Sequence, residues 1–156
     1  MTTDTLSATG AGPGPATLHG GCVCGAVRYV TDGPPLRVTV CHCTWCRRRT
    51  GSAFGTECVF RLDAVRFAGP PPRSYRHRSD VSGRWVDQDF CPACGANLGL
   101  RLEAVPDLRS LAIGTFDDAS WLDAAGIAVR HVFVRSALSV CPPPHDAETY
   151  ETHFRA

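Results

Sequence analysis

A chain of 156 residues with a formal charge of +1 and 44% hydrophobic residues has room for one compact domain with a modest core. The near-neutral charge argues against a nucleic-acid partner, which needs several phosphates neutralised. Nowhere is there the run of about eighteen apolar residues that a membrane span needs, and Met1–Gly20 lacks the basic start and apolar stretch of a secretory signal.

The expected setting is therefore soluble and cytoplasmic, with no membrane partner. In a reducing compartment the nine cysteines are metal ligands or reactive thiols rather than a disulfide framework. All 16 basic residues are arginine, which together with the Ala, Gly, Pro and Val bias is the mark of GC-rich coding.

Residues 1–17 are mostly Thr, Ala, Gly, Ser and Pro, too polar and small to offset their ordering entropy, and read as a disordered tail. Ala26–Val30 and Leu36–Val40 alternate apolar and polar residues around an Asp32-Gly33-Pro34-Pro35 turn, predicting two antiparallel strands, the second leading into Cys41. Thr44–Thr50 predicts one short helix closed by Gly51. Strands are expected at Ala53–Phe60, Ala64–Ala68, Ser74–Arg78, Arg84–Phe90, Leu98–Leu102, Leu108–Gly114 and Ile127–Val134, with a second helix at Asp118–Ala125. Beyond them, Cys141-Pro142-Pro143-Pro144 leaves regular structure for want of amide hydrogens. The architecture is mainly β, built from several small antiparallel sheets.

Seven cysteines fall into three groups: Cys22-Val23-Cys24, Cys41-His42-Cys43-Thr44-Trp45-Cys46 and Cys91-Pro92-Ala93-Cys94-Gly95. Spacings this short strain a disulfide and suit a single ion. The Cys91–Gly95 turn is a zinc knuckle that supplies two ligands. Cys22 and Cys24, expected on one side of an extended segment, supply two more and complete a closed structural site. Zinc affinities on the order of 10–16 kcal/mol would be linked to folding through it.

Cys41, Cys43 and Cys46 remain as three ligands with a fourth position open, the pattern of an ion that binds something exchangeable. Three thiolates make zinc a weak activator of water but a good host for a further sulfur. Arg47, Arg48 and Arg49 either offset that charge, hold a ligand carboxylate, or form a solvated basic turn. With seven bound thiolates and two zinc ions the net charge becomes about −2.

His42 alternates away from the ligands on either side of it. Cys58, between Glu57 and Val59, reads as a small buried hydrophobe. His131 is a core or hydrogen-bonded histidine by default, with a ligand-facing role as the alternative. Cys141 is either incidental or able to reach the open ion.

Taken together, Gly21–Tyr29, Cys41–Arg47 with Gly51-Ser52-Ala53-Phe54, Phe90–Gly95 and, more loosely, His131–Val134 resemble the glutathione-dependent formaldehyde-activating enzyme family, which includes centromere protein V. The resemblance covers residues 18–136 and leaves 137–156 as a C-terminal extension. It implies the Mss4-like fold and two zinc sites, the first and third motifs holding the structural ion. It also implies carbon–sulfur lyase-type chemistry on a small thiol or its adduct, such as S-hydroxymethylglutathione, with Cys41, Cys43 and Cys46 holding the catalytic ion. The aromatic residue that often follows in relatives is missing past Arg135. The alternative is a zinc-stabilised binding module without chemistry.

Overall fold

The strands divide between two sheets that share the cysteines unequally. The computed structural model describes residues 16–124 and 126–153. In chain order the elements are β1 (Thr17–Gly21), β2 (Arg28–Asp32), β3 (Arg37–Cys41), α1 (Thr44–Thr50), β4 (Gly55–Arg61), β5 (Val65–Ala68), β6 (Arg73–Arg78) and β7 (Trp85–Phe90). They continue as β8 (Asn97–Leu102), β9 (Leu108–Ala112), α2 (Trp121–Ala124), β10 (Val129–Val132) and β11 (Glu148–Tyr150). One sheet has the order β1-β2-β5 and the other β11-β10-β3-β4-β9-β8-β7-β6. The chain is mainly β with the Mss4-like character expected, and its pairings are antiparallel except β3–β10 and β10–β11, which are parallel.

Five expectations change in detail. The strands β2 and β3 do not pair: β2 lies between β1 and β5, while β3 lies between β10 and β4. Pro34 and Pro35 deny the connection a ladder of amide donors, and Leu36 N–H bonds instead to Val59 O at 2.8 Å, carrying the chain from one sheet to the other. Cys22–Cys24, expected on an extended segment, lies in a turn that runs to Val27, so the strand expected at Ala26–Val30 begins only at Arg28. At the N-terminus, Thr17 opens β1 rather than closing a tail, and the tail reading for residues 1–15 lies outside the described residues. The C-terminal extension leaves regular structure at the prolines, then returns as β11 along the edge of β10. The second helix is confined to Trp121–Ala124, and residue 125 is outside the described residues.

The main core lies between the sheets, where Leu18 and Tyr29 meet Val38, Cys58, Phe60 and Leu111. Cys58 is fully buried there, as its apolar neighbours imply. A second, smaller core of Val27 and Leu98 includes the sulfur-bearing residues Cys22 and Cys91. Buried Asp87 and Asp89 on β7 are paired by Arg76, Arg101 and Arg109, so burial leaves neither carboxylate without a countercharge. No helix among the described residues is long and apolar enough to cross a membrane.

Candidate metal centres

The two turns at the ends of the small core are built alike. In the first, Gly25 N–H bonds to Cys22 O at 3.1 Å and Cys22 N–H to Val27 O at 3.0 Å. In the second, Gly95 N–H bonds to Cys91 O at 2.9 Å and Cys91 N–H to Ala96 O at 3.0 Å. The glycines close both turns at φ 76° and 73°, a left-handed conformation that an L-residue adopts only at a cost.

Each turn aims amides at sulfur: Val27 N–H reaches Cys22 Sγ at 3.2 Å and Ala93 N–H reaches Cys91 Sγ at 3.4 Å. The Val27 amide is the main reason the Cys22 thiol is lowered to about 6, and the Ala96 amide likewise lowers Cys94. For Cys24 the Ala26 amide acts downward, but the neighbouring thiols outweigh it and push the group up to about 11. Crowded sulfurs resist holding more than one negative charge until a cation joins them.

Cys22, Cys24, Cys91 and Cys94 converge, their sulfurs all within 4.8 Å of one another. Cys22 Sγ lies 3.4 Å from Cys24 Sγ, and Cys24 Sγ lies 3.9 Å from Cys91 Sγ. A tetrahedral ion with metal–sulfur bonds of about 2.3 Å spaces its sulfurs by roughly 3.8 Å, so this donor set fits one four-coordinate ion.

The second group comes from a single strand-to-helix junction. β3 delivers Cys41, and Cys43 caps α1, its sulfur accepting the Cys46 N–H at 3.3 Å. Gly51, at φ 63°, ends the helix with its N–H on Arg47 O. One turn of helix separates Cys43 from Cys46, and the three sulfurs of Cys41, Cys43 and Cys46 again lie within 4.8 Å of one another.

Hydrogen bonds from Cys41 and Cys46 hold Cys43 far below the ordinary thiol range, while the same sharing, with Cys43 foremost, pushes Cys41 up. The donors fit a metal ion with three protein ligands. Among the described residues no fourth His, Cys, Asp or Glu donor joins them.

His42 turns away from the sulfurs, as its place between two ligands predicts. Its Nε2 lies 3.0 Å from His131 Nδ1, the two rings stack at 5.3 Å, and Phe54 meets His42 edge-on. His131 is thus a hydrogen-bonded core histidine. Burial, with His131 adding to it, holds His42 below its ordinary range, and burial does the same for His131. The pair is neutral near pH 7. Cys141 belongs to neither sulfur group.

The three arginines after the cluster divide by direction. Arg48 is exposed, and Arg47 bonds to Thr44 Oγ1 at 3.4 Å. Arg49 turns inward and pairs with Glu57 on β4, their side chains 3% and 7% exposed. Ser110 Oγ donates to the same carboxylate at 2.7 Å. Trp45 of α1 stacks on His77 of β6 at 5.0 Å, with the Arg49 guanidinium 5.3 Å from the Trp45 ring.

Sequence reasoning missed Glu57, Ser110 and His77. An acidic residue within the buried run Glu57-Cys58-Val59-Phe60 was the one available signal. Two surface clefts of about 290 and 450 Å³ lie on the three-stranded sheet, the first across β2 and β5 with Arg28 and Arg66 at its border, the second beside β1 with Asp117 and Asp118 at its border. Neither is lined by a cluster cysteine.

Comparison with known proteins agrees with this arrangement. A crystal structure of a Rhodobacter sphaeroides protein is similar in fold, with a TM-score of 0.53 and 20% identity, over 72% of this chain and 99% of that one. No curated protein gives a significant match. The model of the family described as "Glutathione-dependent formaldehyde-activating enzyme" matches residues 17–136, well over half of the chain. With the three cysteine motifs in order and their sulfurs gathered into two groups, the chain belongs to the glutathione-dependent formaldehyde-activating enzyme family.

Proposed function

We propose that the protein is a zinc-dependent carbon–sulfur lyase-type enzyme acting on a small thiol and its hydroxymethyl adduct. The observation that carries this reading is the inequality of the sulfur groups: four converging thiols in one, three in the other. In this reading Cys22, Cys24, Cys91 and Cys94 hold a structural zinc, and Cys41, Cys43 and Cys46 hold a second zinc with a position for ligand. When bound, that ion lowers the pKa of a thiol ligand and stabilises negative charge on sulfur or a carbonyl oxygen.

The remaining work falls to the chain. In the forming direction a thiol adds across formaldehyde: the sulfur–carbon bond forms, the carbonyl π pair moves to oxygen, and the thiol proton ends on that oxygen. The reverse direction breaks the same bond and returns the proton to sulfur. Arg48, exposed beside the cluster, and Arg47 are available to a carboxylate of the thiol through paired N–H donors. His42 and His131, neutral and committed to each other, keep an imidazolium charge away from the sulfurs. The domain spans residues 18–136, and a thiol-rich chain of this kind suits a reducing, cytoplasmic compartment.

Cobalt replacement followed by titration with glutathione and other small thiols, with and without formaldehyde, tests the reading. A change in the sulfur-to-cobalt bands and acceleration of adduct formation or breakdown over the uncatalysed rate are expected. Bands unmoved by every thiol, with no acceleration, would replace the enzyme by a zinc-stabilised binding module.

A further inference from the structure

Of the two sulfur groups, the one with four ligands lies nearer the surface. Its cysteines alternate: Cys22 and Cys91 are 6% and 1% exposed, whereas Cys24 and Cys94 are exposed residues. The tips of both turns face solvent with them, Val23 and Gly25 on one side and Pro92, Ala93 and Gly95 on the other. A Cβ added at Gly25 or Gly95 would meet nothing within 4 Å, so the space outside each turn is open. In the three-cysteine group Cys46 is 5% exposed and Cys41 and Cys43 are half-buried, so none of its residues stands at the surface in the same way.

The inner and outer sulfurs are also held differently. Cys22 Sγ accepts the Val27 N–H at 3.2 Å and Cys91 Sγ accepts the Ala93 N–H at 3.4 Å, and both residues are packed with Val27 and Leu98 in the small core. Oxidation of cysteine follows exposure and thiolate character, so a small solute reaches Cys24 and Cys94 first. Their sulfurs lie within 4.8 Å of each other. Because they sit on different turns, a bond between them avoids the near-neighbour strain of a bridge from Cys22 to Cys24.

We infer that Cys24 and Cys94 are a modification site for small hydroperoxides: a two-electron oxidation joins them in a disulfide across the two turns and releases the structural ion, while the three-cysteine group stays reduced. This rests on the four-cysteine group as the holder of that ion and makes no use of the lyase chemistry.

The step balances with hydrogen peroxide as the oxidant. The first thiolate attacks a peroxide oxygen, the O–O bond breaks, and the departing hydroxide takes a proton to become water, leaving a sulfenic acid. The second thiolate attacks that sulfur, the S–S bond forms, and the hydroxyl leaves with a proton as a second water. Two electrons pass from the two sulfurs to the peroxide. The ion, reduced to Cys22 and Cys91, has lost half of its ligands and departs. The new disulfide closes the loop that the ion closed, so the chain stays folded.

The test uses the zinc-loaded chain, freed of reductant under anaerobic conditions and then given hydrogen peroxide, with a zinc-binding dye as the readout. Release of one equivalent of zinc out of two is expected, with reuptake after reduction by a phosphine and addition of zinc. Cleavage after arginine without reduction should yield residues 1–28 joined to residues 85–101, fragmentation placing the link at Cys24 and Cys94. Residues 38–47, which carry Cys41, Cys43 and Cys46, should remain fully alkylatable after denaturation. Thermal unfolding of the oxidised chain should stay cooperative.

A link within either turn, oxidation of residues 38–47 ahead of the other peptides, loss of both equivalents together, or release accompanied by loss of cooperative unfolding overturns the inference. So does reduced protein with no zinc in the four-cysteine group. A chain that binds no small thiol can still behave as expected here, and one that fails here can still bind thiols, so the two readings fall separately.

Discussion

The two sulfur groups differ less in their ligands than in what surrounds them. Cys22, Cys24, Cys91 and Cys94 join two turns 67 residues apart between Cys24 and Cys91, with Val27 and Leu98 as the apolar filling. Cys41, Cys43 and Cys46 come from six consecutive residues, beside a histidine pair and a buried ion pair. One group substitutes for core in a region with little of it. The other is set among buried polar groups. On the proposed assignment, the ion that staples draws its ligands from distant turns, whereas the ion with an open position draws them from one turn.

The largest expected effect separates the groups by folding. Cys22→Ser or Cys94→Ser removes a ligand from the long-range staple and should abolish cooperative unfolding at 25 °C, a loss at or above the roughly 4–5 kcal/mol that marks exceptional substitutions. Cys43→Ser should leave a cooperative transition and change ligand binding instead. Equal damage to thermal unfolding from Cys43→Ser and Cys94→Ser would erase the distinction.

Metal removal sharpens the same contrast without mutation. A chelator should take one equivalent of metal quickly and the second slowly, because three protein ligands leave a position for attack that four close. Metal analysis giving a single equivalent, or both lost at one rate, would contradict the division.

Glycines give a finer probe, since each region uses one for a different reason. Gly95→Ala is expected to cost about 1–2 kcal/mol through its left-handed φ, because a Cβ there would meet nothing within 4 Å. Gly55→Ala is expected to cost about 1–3 kcal/mol by overpacking against the Arg49 guanidinium, and to perturb spectra of the three-cysteine site alone. Denaturant unfolding and cobalt spectra of the two variants would tell space from conformation.

The smallest effect is a pH slope. Burial lowers the titration of His42 and His131 in the folded chain, so the unfolded chain binds protons first as pH falls below about 6.5. The contribution of the pair is therefore complete above that pH and is lost progressively as pH falls toward the lowered folded values. His131→Asn should flatten unfolding curves measured between pH 7 and 5. An unchanged slope would show that the imidazoles do not carry it.

Much of the sulfur chemistry was legible because ligand spacing within a turn is a local property. The six residues Cys41–Cys46 and the knuckle at Cys91–Gly95 each state their geometry within one turn. The helix Thr44–Thr50 and its Gly51 stop were readable for the same reason. What escaped depends on register between distant strands. Trp45 meets His77 through the order of one continuous sheet, in which four strands (β4, β9, β8 and β7) lie between β3 and the edge strand β6, and no local pattern records that order. Arg49 and Glu57 are only eight residues apart, yet their pairing required Gly55 to bring β4 against α1. The parallel edge strand β11 was hidden behind three prolines, whose effect ends where they do.

The span of the four-cysteine site also sets an order of events during synthesis. Cys46 completes the local group before any of β4 to β9 has been made, so that site can be filled while the chain is still growing. Cys22 and Cys24 must wait for Cys94, which at about 5–20 residues per second means an interval of several seconds in which two thiols stand open to oxidation or to a stray ion. If the two groups hold metal as proposed, a shortage of the ion would leave the long-range group unformed in newly made chains, and protein turnover would register the shortage.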